Sequence, residues 1–235
     1  MKAGKLHIVA TPIGNLGDMT PRAIEVLRTV DVAYCEDTRV SRRLFNHFEI
    51  GTQLKRFDDK TTQRKVPEII ELLLDDKDVA LISDAGTPVI SDPGMPLIAA
   101  AHDEGIEVVS IPGASSVEAA LSISGLPAHA YYFGGFLPRK SGKRKTLLAS
   151  LDELNATLIF FESPYRIVKV LTHLAQLYPS RQAAIARELT KRHEELVRGT
   201  LAELSQEFTS RQEAAEAGKS ATIKGEFVIL IAPIK

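Results

Sequence analysis

Cysteine is nearly absent: the 235 residues contain a single one, Cys35. An internal disulfide is excluded, and so is a zinc site built on cysteines. Long apolar runs are missing too. None reaches the roughly 18 residues of a membrane helix, and the opening MKAGKLHIVATPIG lacks a secretory signal's apolar stretch and cleavage site. These absences predict a soluble cytoplasmic protein with no membrane partner. No G-x-G-x-x-G follows a strand pattern, which removes the dinucleotide fingerprint. Lys143 follows Gly142, but Leu137 stands five residues before that glycine and Arg144 follows the lysine, so there is no P-loop. There is no G-x-S-x-G elbow. The six histidines are scattered without ligand spacing, and no metal is expected.

What remains is a globular composition, 44% apolar and 25% charged, with enough Leu, Ile, Val and Ala for a core. The net charge of −1 conceals an asymmetry. Residues 1–112 carry 13 Lys and Arg against 18 Asp and Glu, whereas residues 113–235 carry 16 against 12. The basic half suits a polyanionic partner.

Short β-branched runs alternate with helical patterns. Strands are expected at Leu6–Ala10, Val30–Glu36, Val79–Ser83 and Val108–Ile111, and helices at Pro21–Arg28, Ser41–Phe48, Pro67–Leu74 and Pro96–His102. Thr20 and Pro21 form a helix start. This alternation indicates βαβ units and a mostly parallel sheet. The second half predicts helices at Ser115–Ser124, Lys145–Leu154, Arg166–Leu177 and Leu201–Phe208, and strands at Tyr131–Phe136, Thr157–Phe161, Ala183–Arg187 and Glu226–Ile231. Pro138–Lys145 reads as a loop, Gly199 as a turn and Ala214–Lys219 as a polar loop. The fold class is therefore α/β, in two domains, 1–114 and 115–235.

Ligands of α/β sheets collect at loops off the carboxyl ends of strands. The first such loop, Thr11 to Asp18, has two glycines that permit close backbone approach. The second, Asp84 to Gly94, is eleven residues long, well above the usual two to six of such connections, and reads as a ligand loop. The third, Ile111-Pro112-Gly113-Ala114-Ser115-Ser116, offers small residues and hydroxyls, and also a helix cap.

Together TPIGNLGDMT, YCEDTRVSRRL, SDAGTPVISDPG, IPGASS, GFLPRKSGKR, TLIFFESPYRI, ARELTKRHEELVRGTL and KGEFVILI resemble the ribosomal RNA small-subunit methyltransferase I family of the tetrapyrrole methylase superfamily. The likeness runs from about Leu6 to Ile231. It implies a two-domain, usually dimeric α/β/α enzyme with S-adenosylmethionine in the cleft between the domains. It also implies 2′-O-methylation of a cytidine in small-subunit (16S) ribosomal RNA or the assembled subunit. Carried over, Pro12, Ile13 and Gly14 line the cofactor. Asp84, Thr87, Pro88 and Ile90 hold its methionine and ribose parts, and Ser115 and Ser116 follow the third strand. Phe160, Phe161, Ala186, Gly225 and Glu226 close over the adenine.

A ribose hydroxyl is a poor nucleophile, so a group that removes its proton is expected. The acids available are Glu36, Asp37, Asp84 and Glu162, with Asp37 or Glu162 put forward for the catalytic role and Glu36 also as a substrate contact. Arg39, Arg166 and Arg187 suit phosphates through forked hydrogen bonds. Residues 139–145 hold five cations, Arg139, Lys140, Lys143, Arg144 and Lys145, a phosphate-gripping run. No interleaved-aromatic RNA motif is visible. Two rival readings remain: a corrin or porphyrin methylase, and a non-catalytic RNA- or nucleotide-binding module.

Overall fold

The computed structural model describes residues 3–218 and 223–234. These fall into two compact units that divide between Ser115 and Ser116.

The first unit runs β1 (Leu6–Val9), α1 (Pro21–Thr29), β2 (Val32–Cys35), α2 (Thr38–His47), β3 (Gln53–Arg56), α3 (Thr62–Leu74), β4 (Val79–Ile82), α4 (Met95–Asp103) and β5 (Val108–Ile111). Its sheet has the order β3-β2-β4-β1-β5 and every pairing is parallel. Alternation along each strand sends side chains to both faces. Val32, Tyr34, Val79 and Leu81 pack with Ile69, Leu73 and Leu97 of α3 and α4. Ala33, Cys35, Ala80 and Ile82 pack with Ala23, Leu27 and Phe45 of α1 and α2. Burial on both faces is why β2 and β4 are unbroken apolar runs.

The second unit runs α5 (Ser116–Ser124), β6 (Tyr131–Phe136), α6 (Ser141–Ser150), β7 (Thr157–Glu162), α7 (Ile167–Leu177), β8 (Gln182–Arg187), β9 (Glu195–Thr200), α8 (Leu201–Glu216) and β10 (Phe227–Ile231). Its mixed sheet has the order β6-β7-β10-β8-β9, with only β6 and β7 parallel among neighbours. One face carries Leu158, Phe160, Ile185 and Ile229 against α6, α7 and α8. On the other, α5 lies along β8, β9 and β10, and Arg198 of β9 reaches the Gly125 carbonyl just past its end. Among the described residues no helix is long and apolar enough to cross a membrane.

The α/β class agrees with expectation, while several boundaries differ. Two edge strands, β3 and β9, carry no expected pattern because QLKR and ELVRGT are polar and only partly buried. Gly199 is no turn; it pairs with Ala183 inside β9. Helix α3 begins five residues before Pro67 and passes through it. Ala214–Glu216 extend α8, as alanine's helix propensity favours; Lys219 lies outside the described residues. The basic segment expected to be loop up to Lys145 enters α6 at Ser141.

Candidate functional site

In the first sheet the chain leaves β1 for β2 on one side and leaves β4 for β5 on the other, passing over a neighbouring strand each time. The adjacent strands β1 and β4 therefore flank a topological switch point, where α/β sheets bind ligands. The loops beyond them are tied together. Thr11 N–H donates to the Gly86 carbonyl (2.9 Å) and Gly86 N–H to the Thr11 carbonyl (3.1 Å). The Thr11 hydroxyl donates to the Ser83 carbonyl (3.0 Å). Thr87 Oγ1 donates to the Ala114 carbonyl (3.3 Å), which brings in the loop after β5. Gly86 holds φ +87° and its missing side chain leaves room beside Ile13 and Ala114. The expected residues Pro12, Ile13, Gly14, Asp84, Thr87 and Pro88 thus share one edge. Ile90 is half exposed between Val89 and Ser91, two non-glycine residues at positive φ (74° and 69°). The Ser83 hydroxyl donates to Asp92, which folds the loop back on itself. Ser115 and Ser116 stand at the start of α5.

The acids after β2 join this edge. Asp37 N–H donates to Asp84 Oδ1 (3.2 Å). Burial, followed by the charges of Asp84, Asp92, Asp59 and Asp58, pushes the Glu36 carboxyl up. Asp84 is also pushed up, first by burial. Asp37 goes the other way. It caps α2 through the Arg39 amide (2.9 Å) and grips the Arg39 guanidinium with both oxygens (Nε–Oδ1 3.0 Å, Nη2–Oδ2 2.6 Å). Those bonds hold its carboxyl far below the usual range. A carboxylate so stabilised is a poor proton acceptor, so the structure places Asp37 as a helix cap and clamp for Arg39.

In the second unit, β7 separates two residues expected to act together. Phe160 is fully buried among the helices, whereas Phe161 points to the other face with Phe133. The ring of Phe160 is therefore a core ring. Phe161, Val228 and Ala186 are register partners across β7, β10 and β8. Nearby, Gly225 and Glu226 meet the turn after β8. The Glu226 amide donates to Glu188 Oε1 (3.0 Å), and Lys191 bridges Glu188 and Glu226 (2.9 Å each).

Glu162 is fully buried. Its Oε1 accepts the Ser163 amide (2.7 Å) and its Oε2 lies 3.2 Å from Arg166. Burial raises its carboxyl, and Arg166 and Arg144 oppose that shift. Arg166 donates to the Leu137 carbonyl (2.7 Å), while Arg144 donates to His173 Nδ1 (3.0 Å) and the Pro138 carbonyl (3.3 Å). These groups brace the turn after β6 against the turn after β7. Arg144 is thus an interior residue, unlike its exposed neighbours Arg139, Lys140 and Lys143. Arg187 is interior as well, on Glu195 (3.0 Å) and the Lys224 carbonyl (3.0 Å). Neither is presented to a phosphate as expected. Among the described residues no cluster of His, Cys, Asp and Glu is placed to hold a metal ion.

The family described as tetrapyrrole (corrin/porphyrin) methylases matches residues 5–205. A protein of Micromonospora olivasterospora named ribosomal RNA small subunit methyltransferase I is 44% identical over 230 residues, 98% of this chain and 71% of its own. One of that name from Thermotoga maritima is 43% identical over 213 residues, 91% of this chain and 96% of its own. Among solved structures, diphthine synthase superposes with a TM-score of 0.73 at 15% identity, covering 97% of this chain and 90% of that one. Uroporphyrin-III C-methyl transferase from Thermus thermophilus, complexed with S-adenyl homocysteine, gives 0.63 at 19%, covering 97% of each. The bonded loops at the switch point and a likeness over most of its length converge: the chain belongs to the tetrapyrrole methylases, and within them to the ribosomal RNA small subunit methyltransferase I family.

Proposed function

We propose that the protein transfers a methyl group from S-adenosylmethionine to the 2′-hydroxyl of a cytidine in small-subunit ribosomal RNA. The observation that carries this reading is the joining of the loops after β1, β4 and β5 at the switch point, in a chain whose relatives are named ribosomal RNA small subunit methyltransferase I.

The residues present fit the cofactor's chemistry. Its sulfonium and α-ammonium are cationic, and the edge is acidic, with Asp84 half-buried and Glu36 beside it. The loops present backbone groups and small side chains, Gly14, Gly86 and Ala114, which suits a flat nucleoside that must not leave polar atoms unpaired. We assign Pro12, Ile13, Gly14, Asp84, Thr87, Pro88, Ile90, Ser115 and Ser116 to it. When bound, S-adenosylmethionine supplies an electrophilic methyl on a cationic sulfur that leaves neutral.

The chain's own task is to align the hydroxyl and take its proton. Of the four acids, Glu36 is best suited to accept it. Its carboxyl is raised above the usual range and exposed, whereas Asp37 is clamped by Arg39, Asp84 holds an amide and Glu162 is paired in the interior. Arg39, Arg139, Lys140 and Lys143 are exposed cations for RNA phosphates. We further read the protein as cytoplasmic and, as the resemblance implies, a homodimer; sedimentation checks the dimer.

Calorimetric titration with S-adenosylmethionine and S-adenosylhomocysteine tests the cofactor. Binding is expected, and no binding of either overturns every methylase reading. Labelled-methyl assays on unmethylated small subunits, naked 16S RNA and tetrapyrroles then decide the substrate. Transfer to a tetrapyrrole alone would assign the chain to the corrin and porphyrin enzymes.

A further inference from the structure

In a regular strand, residues three apart point to opposite faces. Phe133 and Phe136 of β6 do not. The register shifts between them through Gly134 and Gly135, the latter at φ +60°, and this bulge turns both rings to one side. Both meet Phe161 edge-on, with centroids 4.8 and 5.8 Å away. The other face enforces the glycine: a methyl at Gly134 would stand 2.5 Å from the Phe160 ring. Phe136 ends 58% exposed. A strand that breaks its pairing to present a phenyl ring to solvent forgoes burial, and such bulges commonly re-aim a side chain beside a functional site.

Four exposed cations follow this ring in the sequence, Arg139, Lys140, Lys143 and Lys145, with no acidic residue among them. Arg139 follows Phe136 by three residues, a reach of at most about 11 Å. Lys140 is the N-cap of α6 and makes no side-chain cap hydrogen bond, a helix start suited to phosphate. Arg166 and Arg144 fix the Leu137 and Pro138 carbonyls, so ring and cations sit on a braced turn.

We infer that Phe136, backed by Phe133 and Phe161, is a stacking platform for an unpaired base of the RNA, with Arg139, Lys140 and Lys143 on the adjoining phosphates. This rests on the reading that RNA is the substrate, and it supplies the base contact that reading lacks. Aromatic platforms beside cationic tracks are how proteins hold single strands. A second copy of the chain is a poorer occupant, because a two-fold contact would set this cationic segment against itself.

The test is fluorescence polarisation of a labelled unstructured RNA of about 12 nucleotides, within the site sizes of such surfaces. Phe136→Ala is expected to weaken binding by about fivefold to a hundredfold, the range of base–aromatic stacking, and Phe136→Trp to restore it. The slope of affinity against salt should stay as in the wild type, since no cation is lost. Equal binding by wild type and Phe136→Ala overturns the inference, as does an absence of binding by the wild type. So does a variant that turns monomeric in sedimentation, which would make the patch a face between copies. S-adenosylhomocysteine titration of the same variant separates the two readings. Retained cofactor binding with weakened RNA binding supports the platform. Loss of both overturns it by assigning the ring to the cofactor.

Discussion

Gly225 lies so close to Glu188 that a methyl group on it would stand 2.4 Å from the Glu188 Cγ. That side chain cannot simply swing away, because its carboxylate holds the Glu226 amide and Lys191. Gly225 also has φ +107°, where only glycine is unstrained. Gly225→Ala should therefore cost about 1–3 kcal/mol of stability, read as a lower urea midpoint. An unchanged midpoint would mean that the turn after β8 yields to the added methyl.

Glu36→Gln should lower kcat by about a hundredfold to ten-thousandfold with KM nearly unchanged, the span of general-base catalysis. A base works deprotonated, so wild-type activity should fall as pH drops through the raised Glu36 value. In the glutamine variant that acidic limb disappears. A kcat–pH profile that keeps its limb in the variant would move the role to another acid.

For Glu162 the structure separates stability from chemistry. Glu162→Leu removes the buried acceptor of the Ser163 amide and the partner of Arg166, and should cost about 3–5 kcal/mol. The folded carboxyl is raised, so its contribution to stability is complete below the unfolded value near 4.5 and fades as pH rises through the folded one. Urea midpoints of Glu162→Gln should be flatter than those of the wild type across that window. If the folded glutamine variant instead loses its acidic kcat limb at unchanged KM, Glu162 is the proton acceptor.

The apolar strands were legible because a sheet buried on both faces writes itself as unbroken runs such as VALI. The polar edge strands β3 and β9 were not, since half-exposed edges need no apolar alternation. The loops were legible by length and glycine content, and Thr11 and Gly86 meet in an isolated antiparallel bridge beyond the strand ends. Side-chain direction was harder. Phe160 and Phe161 read as a pair, yet a period of two sends them to opposite faces. The Gly-Gly inside YYFGGF was the overlooked sign of the bulge that re-aims Phe136.

The basic run makes the same point, because a helix has an inner side. Five cations in seven residues look alike in sequence, but Arg144 is buried against His173 while the other four are exposed, Arg139, Lys140 and Lys143 among them. Neutralising those three together should weaken RNA binding and make the salt slope shallower by about 2, at roughly 0.7 per single-strand phosphate contact. Folding should be untouched, since surface charges contribute little to stability. Arg144→Ala should do the reverse: a lower urea midpoint, from Glu162 and His173 losing a buried partner, with the salt slope unchanged. Polarisation titrations at several salt concentrations, paired with urea melts of both variants, check this. A shallower slope from Arg144→Ala alone would place that guanidinium on phosphate and contradict its interior position.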